Sequence, residues 1–354
     1  MIAAALAASC ELTIVIVDDA KPDASSEGTS RNESRNAMFE LPKGRIATVE
    51  YVSPPDLETR LKEIGPDVLI ANETALAPVA IATGVSTIVS LQNVESALWR
   101  EVANTASGSQ REEALQRSKR NLLIERRVLP RASQIWVVGD NDATAISEIV
   151  GGGDFARKIS IVPNVVLDPD PEPTAKRPAI AGRGVFFGSL WWSPNEQAVV
   201  ELVALSDRIA RRGIDHRFSI AGQGAPESLR AIVDEARAVE LAGFVPDLAA
   251  FVETAACAVL PVVSGGGSMV KLLDAMRLGV PVLTTPQGAR GIAGLEAGVH
   301  LVVYPLGREF DDACIAMLTD PESFAEMGRR ARSFVGTHFS LSALDTIVGR
   351  LIRQ

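Results

Sequence analysis

A glycine-rich turn followed by a lysine and an aspartate is the part of this 354-residue sequence that could do chemistry most directly. Residues 258–263 are apolar and predict a strand, three glycines follow at 265–267, and residues 269–278 predict a helix. Glycines let a backbone approach a ligand closely, and the free amides at a helix start attract phosphate. Lys271 adds a positive charge, and Asp274 could accept hydrogen bonds from ribose hydroxyls. Taken alone, the pattern fits a tightly packed strand–helix corner equally well.

Length, composition and charge narrow the class of protein. A chain of 354 residues predicts about two domains, and 47% hydrophobic residues suffice for large cores. The formal charge of −9 argues against a nucleic-acid binder, which normally carries a basic surface. Cys10, Cys257 and Cys314 lack metal-ligand spacing and are interpreted as buried thiols of a reducing compartment, and the three histidines are too scattered for a metal site. No apolar run reaches the roughly 18 residues of a membrane span, so a cytoplasmic protein is predicted.

In the first half of the chain, apolar strands alternate with helices, which indicates a doubly wound parallel sheet. Strands are predicted at residues 12–17, 46–51, 67–71, 86–90, 134–138 and 159–162. Ligands bind beyond the carboxyl ends of such strands. Candidates there for binding a polyhydroxylated acceptor are Asn72, Glu73, Gln92, Asn93 and Glu95. Helix capping and loop solvation explain each of them about as well.

A long basic helix is predicted at residues 109–132. Its cations are Arg111, Arg117, Lys119, Arg120, Arg126, Arg127 and Arg131. They could face anionic lipid on the inner side of a membrane, although the interleaved glutamates favour a solvated face. The linker at residues 167–177, rich in proline and aspartate, marks a domain boundary.

The second half begins a new series of strands and helices. Glycines follow its first two strands, at Gly188, Gly222 and Gly224. With the glycines at 265–267, they are predicted to line one cleft, because the carboxyl ends of parallel strands meet at one edge of the sheet. Each glycine taken singly is also explained by a turn.

Several runs together resemble glycosyltransferases of family 4, also called group 1. They are FFGSLWWSPNEQAV, IAGQG, LAGFVPDLAAF, PVVSGGGSMVKLLDAMRLGVPVLTT and GARGIAGLEAGVHLVV, preceded by LQNVESALWR, RVLPRASQIWVVGDNDA and IVPNVV. The resemblance implies an α/β protein of GT-B architecture, with two Rossmann-like doubly wound domains facing a cleft. Residues 1–165 would form the acceptor-side domain, 166–340 the donor domain, and 341–354 a helix that packs back on the first domain. Family members begin with a strand and a glycine loop, which the first domain is expected to lack.

The resemblance also implies an activity and a set of binding residues. The expected reaction transfers a sugar from a nucleoside-diphosphate sugar to a glycan or lipid-linked acceptor, with retention at the anomeric carbon, commonly in polysaccharide assembly. Asp274 matches the residue that binds ribose, Gly243 and Val245 the base, and Gln92, Asn93 and Glu95 the acceptor side. The complete donor set is Gly188, Gly222, Gly243, Val245, Gly265, Gly266, Gly267, Ser268, Lys271, Asp274 and Arg290.

No bound metal or other cofactor is expected, and no catalytic residue is assigned. Lys271, Arg290 and helix amides are the groups available to offset charge on the departing diphosphate. A non-catalytic or truncated sugar-nucleotide-binding protein is the main alternative, since glycine stands at 266 where family members often carry a glutamate. A nucleotide-sugar epimerase is a weaker alternative, because the first half contains no histidine to act as an acid or base.

Overall fold

The structure is a computed structural model that describes residues 13–17, 37–41, 45–52, 56–151, 153–167, 178–265 and 270–352. The first three stretches are described as backbone strands. Three features of the sequence analysis lie outside the described residues: Cys10, most of the linker at 167–177, and residues 266–268 of the glycine turn.

Two sheets occupy the first half of the chain. One has the order β1-β3-β2, from β1 (Thr13–Val17), β2 (Ala37–Leu41) and β3 (Arg45–Val52). The other is parallel, in the order β4 (Val68–Asn72), β5 (Ser86–Leu91), β6 (Gln134–Val137) and β7 (Ile159–Ile161). The prediction missed β2, which pairs antiparallel with β3. Its five residues, AMFEL, follow a polar stretch and form a strand only through that pairing.

Five helices connect these strands: α1 (Leu57–Ile64), α2 (Ala77–Ala82), α3 (Glu95–Thr105), α4 (Gly108–Val128) and α5 (Asp140–Val150). The long helix α4 buries Ala114, Ser118, Glu125 and Val128, which recur at helical spacing on one face. All seven of its predicted cations, including Arg131 in the 3₁₀ turn that follows, are exposed on the other faces. The structure therefore presents the basic surface that the sequence predicts.

The second half contains one six-stranded parallel sheet. Its strands are β8 (Ile180–Phe187), β9 (Arg217–Ala221), β10 (Val239–Gly243), β11 (Ala255–Leu260), β12 (Val282–Thr284) and β13 (Val302–Val303). Their order is β10-β9-β8-β11-β12-β13. This 3-2-1-4-5-6 order is that of a Rossmann sheet, and the winding direction reverses between β8 and β11.

The remaining helices are α6 (Ser193–Arg211), α7 (Glu227–Glu235), α8 (Leu248–Val252), α9 (Val270–Arg277), α10 (Arg308–Thr319), α11 (Ala325–His338) and α12 (Leu341–Leu351). The sequence predicts a helix at 247–255, but α8 ends at Val252 and Ala255 already begins β11. The alanines of AACAVL favour a helix by propensity, but all six residues of this central strand are buried. Burial between two helical layers overrides the local preference.

The last helix belongs to the core of the first half. In α12, Leu341, Leu344 and Val348 are buried against Trp136 of β6 and Val165. The crossing is fixed by the Val166 amide, which donates to the Phe339 carbonyl at 2.9 Å. The chain thus returns from the second domain to the first before it ends.

Candidate functional site

The reversal point of the Rossmann sheet brings two glycine loops together. Gly188 follows β8, and Gly265 lies five residues after the end of β11. The first loop is packed so closely that a Cβ on Gly222 would lie 2.0 Å from the Gly188 carbonyl oxygen. The role of Gly222 in the structure is therefore close backbone packing. A crevice of this kind, beyond the carboxyl ends of β8 and β11, is where ligands of open α/β sheets bind.

Lys271 reaches into this crevice from the first turn of α9. Its Nζ donates to Asn195 Oδ1 and lies 4.7 Å from the centre of the Phe186 ring. Asn195 is buried at the start of α6 and is itself held by a bond from Nδ2 to the Ser189 carbonyl of 2.8 Å. A Cβ on Gly188 would lie 3.1 Å from Lys271 Nζ and 2.9 Å from Asn195 Nδ2. The glycine leaves room for the ammonium group at the reversal point.

The ammonium group of Lys271 lacks a carboxylate partner among the contacts described here. Burial lowers the pKa of Lys271 to about 7. At neutral pH the site is therefore close to half protonated, and an anion bound beside Nζ would favour the charged form. A buried ammonium group without a carboxylate partner favours the binding of a negatively charged ligand.

Asp274 lies one turn further along α9 and is partly buried. Burial raises the pKa of its carboxyl group, and nearby Arg277 acts in the opposite direction. The Arg277 Nε is 3.7 Å from Asp274 Oδ1, an ion pair too long for a good hydrogen bond. The carboxylate oxygens thus keep capacity to accept hydrogen bonds from a ligand.

The loop after β10 is more open than the loop after β8. Gly243 has φ +71° and nothing within 4 Å of an added Cβ, and Val245 packs against the core of the second half. Between them, Phe244 is 65% exposed. Trp191 in the loop after β8 is also 65% exposed, and it is seated on Gly224, where a Cβ would lie 2.8 Å from the Trp191 ring. Two aromatic surfaces therefore stand at this end of the sheet.

Arg290 of the second domain forms an ion pair with a glutamate of the first domain. Its Nη1 and Nη2 donate to the two carboxylate oxygens of Glu101 in α3, at 2.7 and 3.1 Å. The same Nη2 donates to the Gly265 carbonyl at 2.8 Å. Arg290 was predicted as a cation facing the diphosphate, and in this structure its charge is paired with Glu101.

Two further contacts close the cleft beside this pair. A Cβ on Gly139 would lie 2.8 Å from the Gly291 carbonyl oxygen, so the two backbones touch. Asp142 lies in the first turn of α5, and burial raises its pKa to about 6 against the opposing effect of the Arg290 guanidinium. The two domains therefore meet at the loop that follows β12.

The predicted acceptor residues lie at the carboxyl end of β5 and the start of α3. Gln92 and Asn93 are partly buried there, and Glu95 accepts a 3.0 Å hydrogen bond from Trp99 Nε1. Burial raises the pKa of Glu95, and the charges of Glu73 and Glu125 raise it further.

The two neighbouring glutamates are unusual in their own right. Glu73 has φ +87°, a left-handed conformation that costs energy for a residue with a side chain. Glu125 is fully buried, with Oε1 accepting from the Ser96 amide at 3.1 Å and Oε2 unpaired among the described residues. The charges of Glu73 and Glu125 therefore both act on Glu95 at this end of β5. Asn72, the remaining candidate, is exposed at the end of β4.

Several residues of the site were not assigned a role from the sequence. Asn195, Glu101, Asp142, Gln287 and Glu125 all act through partners distant in the chain. The pair between Lys271 and Asn195 spans 76 positions, and that between Arg290 and Glu101 spans 189. No local pattern marks such pairs. The one local signal is an asparagine three residues after the tryptophan pair that follows Gly188.

In the described part of the chain, no group of three or more histidine, cysteine, aspartate or glutamate side chains is placed to hold a metal ion. Within the same residues, no helix combines the length and hydropathy needed to cross a bilayer.

Comparison with known proteins finds a similarity in the second half of the chain. Residues 182–320 match the family model described as "Glycosyl transferases group 1". None of the curated protein sequences compared matches the chain.

Solved structures resemble the whole fold. Sucrose-phosphate synthase from Thermosynechococcus elongatus has a TM-score of 0.69 at 16% identity, covering 100% of this chain and 91% of that one. Anabaena HepE, solved in complex with UDP and glucose, has a TM-score of 0.65 at 14% identity, covering 86% of both chains. TarM has a TM-score of 0.64 at 13% identity, and the match spans 57% of its length and 84% of this chain. The predicted GT-B architecture is confirmed.

Proposed function

We propose that this chain is a glycosyltransferase that moves a sugar from a nucleoside-diphosphate sugar to a glycan or lipid-linked acceptor, with retention at the anomeric carbon. The proposal is supported by the match of residues 182–320 and by the chemistry of the reversal point in the second sheet. HepE, one of the similar structures, is described as a complex with UDP and glucose. The donor proposed for testing first is therefore a UDP-sugar.

The donor diphosphate is assigned to the crevice that Gly188 lines, beside the ammonium group of Lys271. Transfer of a glycosyl group passes through an oxocarbenium-like state while negative charge accumulates on the departing diphosphate. A protonated Lys271 and the amino-terminal end of α9 offset that charge, as cations and helix dipoles do in other phosphate sites. The reaction proposed here uses no metal cofactor.

The nucleoside is assigned to the side of the crevice that carries Asp274 and the loop after β10. The Asp274 carboxylate would accept hydrogen bonds from the ribose hydroxyls. Phe244 and Trp191 offer exposed aromatic faces on which a base can stack, and Gly243 leaves the adjoining space open. The ring of Trp191 packs closely against Gly224, where a side chain would collide with it.

The acceptor is assigned to the first domain, beside Gln92, Asn93 and Glu95. These residues lie at the carboxyl ends of a parallel sheet, where polar ligands bind in this class of fold. Burial raises the pKa of Glu95, and a glutamate beside the acceptor could accept a hydrogen bond from an acceptor hydroxyl. A hydroxyl oxygen of the acceptor attacks the anomeric carbon, and its proton leaves with the diphosphate.

The observation that carries the proposal is the geometry of Lys271, seated on Gly188 at the reversal point without a carboxylate partner among the described contacts. The decisive experiment is a panel of UDP-, GDP- and ADP-sugars, followed by calorimetric binding and by assay of donor hydrolysis and transfer. Binding of one nucleotide class with turnover supports the proposal. Absence of binding to every member would remove it.

A non-catalytic sugar-nucleotide-binding protein is the second candidate. It is favoured by glycine at position 266, where the family often has a glutamate beside the donor sugar. The same panel separates the two functions, since a binding protein takes up the nucleotide but shows neither hydrolysis nor transfer with any acceptor.

A further inference from the structure

Glu101 of the first domain contacts two side chains that bind the carbonyl of Gly265, the first glycine of the glycine turn in the second domain. The Gly265 carbonyl accepts two hydrogen bonds of 2.8 Å, one from Arg290 Nη2 and one from Gln287 Nε2. A carbonyl oxygen has two lone pairs, so this oxygen is saturated. Both donors also contact Glu101, Arg290 by two bonds of 2.7 and 3.1 Å and Gln287 at 3.4 Å.

From this arrangement we infer that Glu101 is a positioning residue for the donor site. It holds the Arg290 and Gln287 side chains on the Gly265 carbonyl and thereby couples the contact between the two domains to the position of Gly265. The inference rests on the proposed function for its meaning in catalysis. The hydrogen-bond arrangement itself does not depend on that function.

The physical reason lies in what each group does without Glu101. An arginine side chain is long and flexible, and water competes for its guanidinium when no carboxylate fixes it. The Glu101–Arg290 pair is bidentate and only about one-third exposed, with side-chain exposures of 32% and 31%. Without that partner, Arg290 keeps its bond to the carbonyl and the attraction of the Asp142 charge, but it loses the two bonds that fix its guanidinium. The Gly265 carbonyl is then held less firmly by Arg290, and Gln287 has also lost its neighbour.

A shift of Gly265 would affect the neighbouring loop that carries Asn195, for two reasons of geometry. Gly265 has φ +125°, a conformation that side chains rarely adopt, and a Cβ there would contact Pro194 at 3.7 Å. Pro194 directly precedes Asn195, the partner of Lys271. Glu101 therefore acts on the same loop contact that seats the proposed phosphate-binding lysine, although it touches no ligand itself.

The test is a double-mutant cycle in the full-length protein with the variants Glu101→Gln, Gln287→Leu and their combination. Glu113→Gln is the matched control, since Glu113 is an exposed glutamate that pairs only with Arg117 on its own helix. UDP affinity is measured by calorimetry, and amide hydrogen exchange is followed in the peptide that covers residues 285–292. Donor KM and kcat are measured separately for each variant.

Glu101→Gln is expected to weaken UDP binding about fivefold to tenfold, the range for losing a partly exposed charged hydrogen-bonded pair. Exchange in residues 285–292 should rise by a similar factor, with donor KM increasing more than kcat falls. Adding Gln287→Leu to Glu101→Gln should reduce UDP affinity by a much smaller factor than Gln287→Leu alone does in the unaltered protein. The reason is that both residues act on the same Gly265 carbonyl.

Two results overturn the inference: Glu101→Gln behaving like Glu113→Gln in exchange, or the two substitutions acting additively on UDP affinity. If the unaltered protein binds no nucleotide at all, the proposed function fails separately. In that case amide hydrogen exchange in residues 285–292 is the test of the positioning role. A faster exchange in Glu101→Gln supports the role, and an unchanged exchange refutes it.

Discussion

Titration of Lys271 should make nucleotide binding depend strongly on pH. Burial places the pKa of this lysine at about 7, and an adjacent diphosphate favours its protonated form. The protonated fraction of the free protein is about one half at pH 7, roughly one tenth at pH 8 and roughly one hundredth at pH 9. If UDP binds this form, its affinity should fall about tenfold for each pH unit above 8, equivalent to about 1.4 kcal/mol per unit.

The direction follows from linkage. Nucleotide binding raises the pKa of Lys271, so the complex holds more protons than the free protein above pH 7 and loses affinity as protons become scarce. The same depressed pKa makes folding release a proton between pH 7 and the unfolded value of about 10.4, so the stability of the free protein rises with pH across this range.

The assay is calorimetric titration with UDP between pH 7.5 and 9.5, where the terminal phosphate, with a pKa of about 6, stays fully ionised. Lys271→Met should bind weakly with no pH slope, and its affinity should meet that of the unaltered protein near the upper end of the range. Lys119→Met, an exposed position on α4, is the control and should keep the slope. An equal slope in Lys271→Met would refute the assignment of the lysine.

Other substitutions test separate parts of the site and fold. Asp274→Ala should weaken UDP binding by roughly 1–3 kcal/mol while leaving inorganic pyrophosphate binding unchanged in calorimetry, because its carboxylate is assigned to the ribose; equal losses for both ligands would contradict that. Trp191→Ala should cost roughly 1–3 kcal/mol of UDP affinity through lost stacking, and Trp191→Phe should restore part of it. Leu344→Ala, in the buried face of α12, should destabilise the protein by roughly 2–5 kcal/mol in chemical denaturation, and a change below 1 kcal/mol would show that this helix does not pack as described.

Much of the fold follows from local sequence pattern. Apolar runs such as that of β11 identify the buried strands, and glycines such as Gly188 identify where loops reach the ligand edge. The pattern fails where a partner decides the outcome. The strand β2 forms through antiparallel pairing with β3, and Ala255 becomes strand because the sheet centre buries it.

The site shows the same division. The sequence indicates which residue types stand at Lys271 and Asp274, and the helix between them sets their spacing. It does not indicate that Asn195 holds the lysine, or that Glu101 takes the arginine expected at the diphosphate. These contacts join residues on different elements, and only the packing of the two domains brings them together.

A crystal structure of the protein with UDP bound tests the central claim most directly. The diphosphate is expected beside Lys271, within hydrogen-bond distance of the lysine Nζ, with the ribose hydroxyls on Asp274 and the base beside Phe244. Density for UDP at another place, or a diphosphate that makes no contact with Lys271, would contradict the account.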